Sequence, residues 1–304
     1  MKEKVKKKVK NELLLLLKKF PDKNWNYSCL SENPNITLEF VKKNIHEDWD
    51  WYWLSRNSGI TLKDIKDNPD LPWDYSGLSE NPNITLEFVK KNIHEDWDWK
   101  YLSRNPGITL KDIENNPDLT WNYLGLSENP NITLEFVKKN IHEDWDWYWL
   151  SRNSGITLKD IKDIPDLPWD YMGLSFNPNI TLEFVKENIH KNWVWYWLSR
   201  NPGITLKDIK DNPDLPWEYP GLSENPNITL EFVKKNIHED WGWCWLSRNS
   251  GITLKDIENN PNLPWDYIGI SENPNITLEF VKKNIHKNWN WYWLSRNKFN
   301  KHFK

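Results

Sequence analysis

The chain of 304 residues has little cysteine, no long apolar run and no excess of positive charge. Its two cysteines, Cys29 and Cys244, lie far apart in the chain, which predicts free thiols and a reducing, intracellular compartment. No stretch approaches the roughly 18 consecutive apolar residues that span a bilayer, so we expect no membrane association. A formal net charge of −4 argues against a general nucleic-acid binder, which would carry a basic stripe.

A secretory signal is also missing from the first twenty residues, "MKEKVKKKVKNELLLLLKKF". The five leucines are fewer than a usual signal-peptide core, and no small-residue cleavage site follows them. We therefore interpret this segment as a helical cap, and we expect the protein inside the cell.

The motifs that carry enzyme chemistry are absent as well. The sequence has no Ser/His/Asp set at a recognisable spacing, no glycine-rich phosphate loop and no CxxC pair. Six histidines recur at one repeat position, and neighbouring copies should lie on the order of 20 Å apart, too far to share a metal ion. These histidines are His46, His94, His142, His190, His238 and His286. We expect no enzyme activity, no catalytic residue, no metal and no cofactor.

What the chain does contain is a repeat. The stretch "LSENPNITLEFVKKNIHEDWDW" begins at Leu30, and close copies begin every 48 residues. Each 48-mer divides into two 24-residue units that align without gaps. A tryptophan (Trp25 to Trp289), a serine (Ser31 to Ser295) and an asparagine (Asn33 to Asn297) return in every unit. Residues that return in every unit serve the packing between units, so we interpret these tryptophans as structural.

Each unit is predicted to hold two short helices. The first begins at Thr37 or Thr61, where "TLKD" has capping-box spacing, and in half of the units its apolar face includes Ile45. The second begins near "PDLPWD" or "HEDWD" and ends at "SRNP" or "SENP", because proline cannot continue a helix. Asn35 and Gly59, which follow the repeated asparagine, predict a left-handed turn. The alternation in "WDWYW" is also a strand pattern, but the start and stop signals favour helix.

We therefore predict an all-α fold, an α-solenoid of about twelve stacked 24-residue two-helix units in 48-residue double repeats. Residues 1–29 form an N-terminal helical cap and partial repeat, residues 30–293 the repeat array, and residues 294–304 a C-terminal partial repeat with a basic tail. With packed helices about 8–10 Å apart, the array is expected to be a rod or superhelix on the order of 100 Å long.

Three positions alternate from unit to unit. Glu32, Arg56, Glu80 and Arg104 begin one charge ladder, and a second reads Glu39, Lys63, Glu87, Lys111. A third position alternates Trp53, Gly77, Tyr101, Gly125, which predicts that each bulky ring fills the gap beside a neighbouring glycine. Stacking in register would place each acid between two bases and so fix which units touch.

Two resemblances follow from these motifs. The turns "SRNPGIT" and "SENPNIT" in short-helix units resemble the leucine-rich-repeat variant, a helical solenoid. More closely, "NPNITLEFVKKN" with "PDLPWDY" and "LSRNP" is similar to the tryptophan-repeat proteins of large nucleocytoplasmic DNA viruses, such as entomopoxviruses and mimivirus relatives. This second resemblance covers residues 24–297. It implies a viral protein in the host cytoplasm and carries over no catalytic motif.

Departures from the repeat mark the candidate site. Ile164 stands where equivalent units have asparagine, and Val194 stands where others have aspartate. Phe176 replaces a glutamate of the first charge ladder, and Met172 lies between these positions in the sequence. An exposed apolar patch on a solenoid is a candidate contact site, and neutral drift after duplication is the alternative. The position before the alternating ring varies most and carries tyrosines, which suit interfaces. These tyrosines are Tyr52, Tyr148, Tyr196 and Tyr292.

The leading hypothesis is a non-enzymatic, monomeric scaffold that binds a protein partner of host or virus. One alternative is a self-assembling structural protein whose near-identical units stack end to end. The other is a single-stranded nucleic-acid binder that stacks bases on exposed rings such as Trp51 beside lysines such as Lys42 and Lys43. Nucleic acid is the less favoured partner because of the acidic net charge.

Overall fold

The computed structural model describes residues 11–299, and every regular element in that range is an α-helix. The predicted all-α solenoid is therefore confirmed. The helices alternate between two layers, which we call inner and outer. The inner helices are α2 (Tyr27–Glu32), α4 (Trp51–Arg56), α6 (Tyr75–Glu80), α8 (Trp99–Arg104), α10 (Tyr123–Leu126), α12 (Trp147–Arg152), α14 (Tyr171–Phe176), α16 (Trp195–Arg200), α18 (Tyr219–Leu222), α20 (Trp243–Arg248), α22 (Tyr267–Glu272) and α24 (Trp291–Arg296). The outer helices are α1 (Glu12–Lys19), α3 (Leu38–Lys43), α5 (Leu62–Asp67), α7 (Leu86–Lys91), α9 (Leu110–Glu114), α11 (Leu134–Lys139), α13 (Leu158–Asp163), α15 (Leu182–Glu187), α17 (Leu206–Asp211), α19 (Leu230–Lys235), α21 (Leu254–Asn259) and α23 (Leu278–Lys283).

Local sequence fixes where these helices begin and end. Thr61 caps outer helix α5, and Asp64 accepts the Thr61 N–H in return, which confirms the predicted capping box. The inner helix begins later than "PDLPWD" predicts, because Asp74 is its N-cap and accepts from Gly77 N–H. Six-residue helices are too short to be stable alone, so packing between units must hold them.

The invariant serine and asparagine join neighbouring units, where a unit is an inner helix and the outer helix that follows it. Ser31 Oγ accepts from the backbone N–H of Asp50 in the next unit at 3.0 Å. Asn57 Nδ2 donates to the carbonyls of Ser31 at 2.7 Å and Asn33 at 2.8 Å in the previous unit. Both side chains are buried, so each of these hydrogen bonds replaces a hydrogen bond to water that is lost on folding.

The invariant tryptophan joins the layers. Trp49 is buried, its Nε1 donates to the carbonyl of Asn44 at 2.8 Å, and its ring lies edge-on to Tyr27 of the previous inner helix at 5.0 Å. Trp73 meets Trp51 in the same way at 5.4 Å. This contact recurs at every invariant tryptophan of the described chain, which confirms that these rings are structural.

The array is closed into a ring. The N–H of Asn26 donates to Ser295 Oγ at 3.2 Å, and Asn33 Nδ2 donates to the carbonyls of Ser295 at 2.7 Å and Asn297 at 3.0 Å. These are the bonds that join consecutive units elsewhere. The expected rod or superhelix is therefore wrong: the rotation per unit is about 30°, so twelve units complete one turn.

The twelfth unit is built from both ends of the described chain. Helix α24 supplies its inner helix and α1 its outer helix. Phe20 provides the carbonyl for Trp25 Nε1 at 2.8 Å, as the equivalent residue does in every other unit, and the Glu12 carboxylate accepts from the N–H of Leu278. Leu13 and Leu16 of α1 are fully buried. One side of the leucine run therefore belongs to the ring's core, and Leu15 on the other side is exposed.

Two observations show which layer is inner. A Cβ atom on Gly77 would lie 2.5 Å from the carbonyl oxygen of Tyr52, so these two inner helices touch backbone to backbone, as they do at the four other junctions with an equivalent glycine. Outer neighbours instead meet through long side chains, such as Lys42 Nζ on Asn68 Oδ1 at 2.7 Å. In a closed ring the closer-spaced layer has the smaller radius. Twelve helices about 8–10 Å apart then leave an opening on the order of 20 Å across.

The glycines therefore serve close approach of backbones, which corrects two predictions. Gly77 lies against the backbone of Tyr52, so its missing side chain is not a gap for the ring of Trp53. Gly59 does not form a left-handed turn, since positive φ among residues 11–299 occurs only at Phe299. A Cβ on Gly59 would lie 2.5 Å from the carbonyl oxygen of Pro34 in the previous unit.

Two further predictions fail in the outer layer. The ion pairs seen for the second ladder run along single helices, where Glu87 pairs with Lys91 at 2.6 Å and Lys63 with Asp67. A partner four residues away on one helix is closer than one on the neighbouring, widely spaced helix. Ile45 lies beyond the end of α3 and is 53% exposed, because the helix stops at Lys43.

Candidate protein-binding face

The second residue of each inner helix points away from the outer layer, toward the axis of the ring. In α4 this residue is Tyr52, and Leu54 on the opposite side of the helix is fully buried. We call these twelve positions the inner row. The inner row is Ser28, Tyr52, Ser76, Lys100, Leu124, Tyr148, Met172, Tyr196, Pro220, Cys244, Ile268 and Tyr292.

The inner row carries exposed apolar side chains. Leu124 is 45% exposed, Met172 50%, Ile268 47% and Tyr292 41%. The neighbouring positions of the same helices repeat a fixed pattern, whereas the inner row differs from unit to unit. This is the position that the sequence marked as most variable, and the structure places it on an accessible face.

One helical turn further along runs the first charge ladder, which the structure confirms around Glu80. Its carboxylate lies 3.1 Å from the guanidinium of Arg56, pairs with Arg104 and accepts the hydroxyl of Tyr52 at 2.9 Å. Only 6% of the Glu80 side chain is exposed. Burial, together with the bond to Glu80, raises the pKa of Tyr52 to about 12.

The four predicted tyrosines divide into two kinds. Tyr196 repeats the arrangement of Tyr52, because its hydroxyl donates to Glu224 at 2.9 Å. Tyr148 has Phe176 in the place of that acceptor, and Tyr292 is exposed beside Arg296. Each ring packs edge-on against the tryptophan that follows it in the chain.

The ladder breaks at Phe176. Five of the six ladder arginines have a carboxylate of the next unit within 4.0 Å, and Arg152 has the ring of Phe176 at 4.4 Å instead. Phe176 also stacks on Trp197 at 4.3 Å. In residues 11–299 no carboxylate lies within 4.0 Å of the Arg152 guanidinium, so its charge is uncompensated beside an apolar ring.

Met172 lies one helical turn from Phe176 on α14. In the first unit the equivalent of Met172 is Ser28, whose hydroxyl reaches the Asp50 carboxylate at 3.4 Å. Val194 holds the place of Asp50, so Met172 and Val194 are neighbours in the fold. Val194 cannot cap α16, which starts without a side-chain cap. Three of the four predicted departures thus lie on one face.

Ile164 lies elsewhere and is removed from the candidate site. It is the C-cap of outer helix α13, is half-buried and packs against the core. Its carbonyl accepts from Trp169 Nε1 at 2.9 Å, as asparagine carbonyls do in other units. Its side chain replaces an asparagine amide that binds the helix end elsewhere, for example at Asn68, so the substitution affects the core.

Two cations beside these residues were not among the predicted site residues, although Lys191 itself departs from the repeat. Arg152 follows from the broken ladder, since a lost acid leaves its partner unpaired, but its position over Phe176 needed coordinates. Lys191 lies over the ring of Tyr171 at 5.3 Å, where a glutamate stands in most equivalent units. It lines a pocket of about 520 Å³ with Met172 and His190.

A comparison with family models, curated proteins and solved structures found no match to this chain. Within residues 11–299, no three side chains among His, Cys, Asp and Glu are grouped so that they could hold a metal ion. None of the helices in that range has the length and hydropathy needed to cross a bilayer.

Proposed function

We propose that the protein is a ring-shaped scaffold that binds a protein partner on its inner face. The observation that carries this proposal is the inner row, where apolar side chains are about half exposed at the one inner-helix position that varies freely. Exposed apolar groups beside paired charges are typical of protein interfaces. An opening on the order of 20 Å is wide enough for a helix or an extended chain. We further propose, from the tryptophan-repeat resemblance, a viral origin and a host or viral partner.

The two alternatives have less support. End-to-end stacking needs free ends, and the bonds from Asn33 to Ser295 and Asn297 join the two ends of the array to each other. Base stacking needs free aromatic faces, and Trp51 is packed against Trp73. The ladder also alternates in charge, so it offers no continuous basic stripe.

The test compares two triple variants in capture from the cells that make the protein. The first variant removes apolar groups from the inner row by combining Leu124→Ser, Met172→Ser and Ile268→Ser. Serine is tolerated in this row, which already contains Ser28 and Ser76. The matched control replaces equally exposed isoleucines on the outside, Ile45, Ile93 and Ile141, by serine.

We expect the inner-row variant to capture at least tenfold less of one protein than wild type does, measured by quantitative mass spectrometry. The outer variant should capture that protein as wild type does. Far-UV circular dichroism checks that both variants are folded. Equal capture by the two variants would refute binding on the inner face.

A further inference from the structure

The break in the ladder joins a positive charge to an apolar surface. Arg152 is held between two rings, Phe176 at 4.4 Å and Trp149 at 5.1 Å, both measured from the guanidinium carbon to the ring centroid. These contacts leave the N–H groups of the guanidinium available, because an aromatic ring offers no carboxylate or carbonyl oxygen to accept them. A carboxylate is the group that fits such N–H groups bidentately.

The space for that group is present. A pocket of about 380 Å³ opens beside Arg152 and is lined by Trp149, Phe176, Pro178 and Glu128. Glu128 is the one carboxylate there, and it already pairs with Arg104 at 3.8 Å. The pocket therefore combines an apolar wall with an arginine whose charge no carboxylate within 4.0 Å compensates.

A second cation lies on the other side of the same helix. Phe176 and Met172 form an apolar strip along α14, and Lys191 lies beside Met172 in the adjoining pocket. Asp170 also lines this pocket, where its carboxylate caps α14 by accepting from the N–H of Gly173 at 2.7 Å. In four equivalent units, an acid stands in the place of Lys191, for example Glu47. Both changes, from acid to Phe176 and from acid to Lys191, move the local charge in the positive direction.

We propose that this surface binds an acidic peptide segment of the protein partner, with one apolar side chain on the Phe176–Met172 strip and carboxylates on Arg152 and Lys191. The inference rests on the proposed function and names the chemistry of its partner. Charge complementarity selects this occupant: a basic segment would be repelled by both cations, and a purely apolar one would leave Arg152 unpaired.

The probe is a fluorescein-labelled heptapeptide, GDEFEDG, measured by fluorescence anisotropy against the full chain at two salt concentrations. The variant Phe176→Glu restores the ladder and supplies Arg152 with an internal carboxylate, so peptide affinity should fall about tenfold or more. Arg152→Gln should also bind the peptide about tenfold less tightly. The affinity of the wild-type protein for the peptide should fall as the salt concentration rises. Arg296→Gln is the matched control, because Arg296 already pairs with Glu32, and should change affinity less than about twofold.

Three results would overturn the inference: equal binding of the probe by Phe176→Glu and wild type, equal binding of the peptide GKKFKKG, or no binding of the probe to wild type. If any of these occurs while the inner-row serine variant still loses its captured protein, the peptide chemistry is wrong and the proposed function stands. If both tests fail, the inner face is not the binding surface.

Discussion

The closing junction uses the same bonds as the glycine-bearing junctions, which are every second junction of the ring, but a different side chain at the closest contact. Between α4 and α6 the small residue is Gly77, and the helices touch through backbone. Between α24 and α2 the same place is held by Cys29, which is buried, and the two helices approach less closely. The unit at the closing junction also takes its outer helix, α1, from the other end of the described chain.

This difference indicates that repetition builds the ring and a few exceptions close it. Junctions that repeat every 48 residues propagate a regular rotation around the ring. At the closing junction the close glycine contact is absent, and the longer, leucine-rich α1 adds buried apolar surface beside it. The hydrogen bonds of the invariant asparagine are kept at both kinds of junction.

The largest expected effect comes from removing that asparagine. Asn57→Ala at an ordinary junction leaves the carbonyls of Ser31 and Asn33 and the N–H of Gly59 without their partner. Each buried unsatisfied group costs about 1–3 kcal/mol, so we expect unfolding free energy to fall by about 3–5 kcal/mol. Asn33→Ala should cost a similar amount if the ring is closed in solution. Urea denaturation followed by far-UV circular dichroism measures both.

The comparison between these two variants decides closure. In an open array Asn33 would face water, and its replacement by alanine would cost less than about 1 kcal/mol. A small effect of Asn33→Ala beside a large effect of Asn57→Ala would therefore contradict the closed ring.

A smaller effect is expected where the junctions differ. Gly77→Ala places a methyl group 2.5 Å from the Tyr52 carbonyl oxygen, so the helices must separate, and we expect a loss of about 1–2 kcal/mol. Cys29→Ala removes one sulfur atom at the looser contact and should cost about 1 kcal/mol or less. The same denaturation experiment applies. If both variants lost equal stability, the closing junction would be as tight as the glycine-bearing junctions.

The sequence predicted the units, the capping boxes and the Glu80 ladder because each depends on residues that return at fixed spacing. It did not predict that the array closes into a ring. The rotation between units depends on all the contacts of a junction together, so it cannot be inferred from any single residue. The glycines illustrate the limit. Gly59 and Gly77 suggested turn conformation and size complementarity, and the actual reason, contact with the previous unit's backbone, appears only once units are placed together.

The candidate site was predictable in part for a similar reason. Phe176 and Met172 could be recognised because they depart from the repeat sequence, and their proximity follows from their spacing of four residues on one helix. Ile164 looked equivalent in the sequence, but it lies in the outer layer, and a one-dimensional pattern does not assign layers. Arg152 does not depart from the repeat at all. It becomes distinctive because the acid that its equivalents bind in the next unit is missing.

The last comparison is between two tyrosines at the same helix position. Tyr52, at an ordinary junction, donates to Glu80, and Tyr292, at the closing junction, is 41% exposed. Near pH 8, Tyr52→Phe should lower unfolding free energy by about 1 kcal/mol, and Tyr292→Phe by less than about 0.5 kcal/mol.

Alkaline pH separates the two further, because burial and Glu80 raise the pKa of Tyr52 to about 12. Above pH 10 the unfolded chain releases the Tyr52 proton while the folded ring retains it, so the stability from this group is complete below pH 10 and is lost as pH rises toward 12. Urea midpoints measured from pH 8 to pH 11 should fall less steeply in Tyr52→Phe than in wild type. If the urea midpoints of Tyr52→Phe and wild type fell equally with pH, the Tyr52 hydroxyl would not be bound to Glu80 in solution. The tyrosine at the ordinary junction would then be no better protected from solvent than Tyr292 at the closing junction.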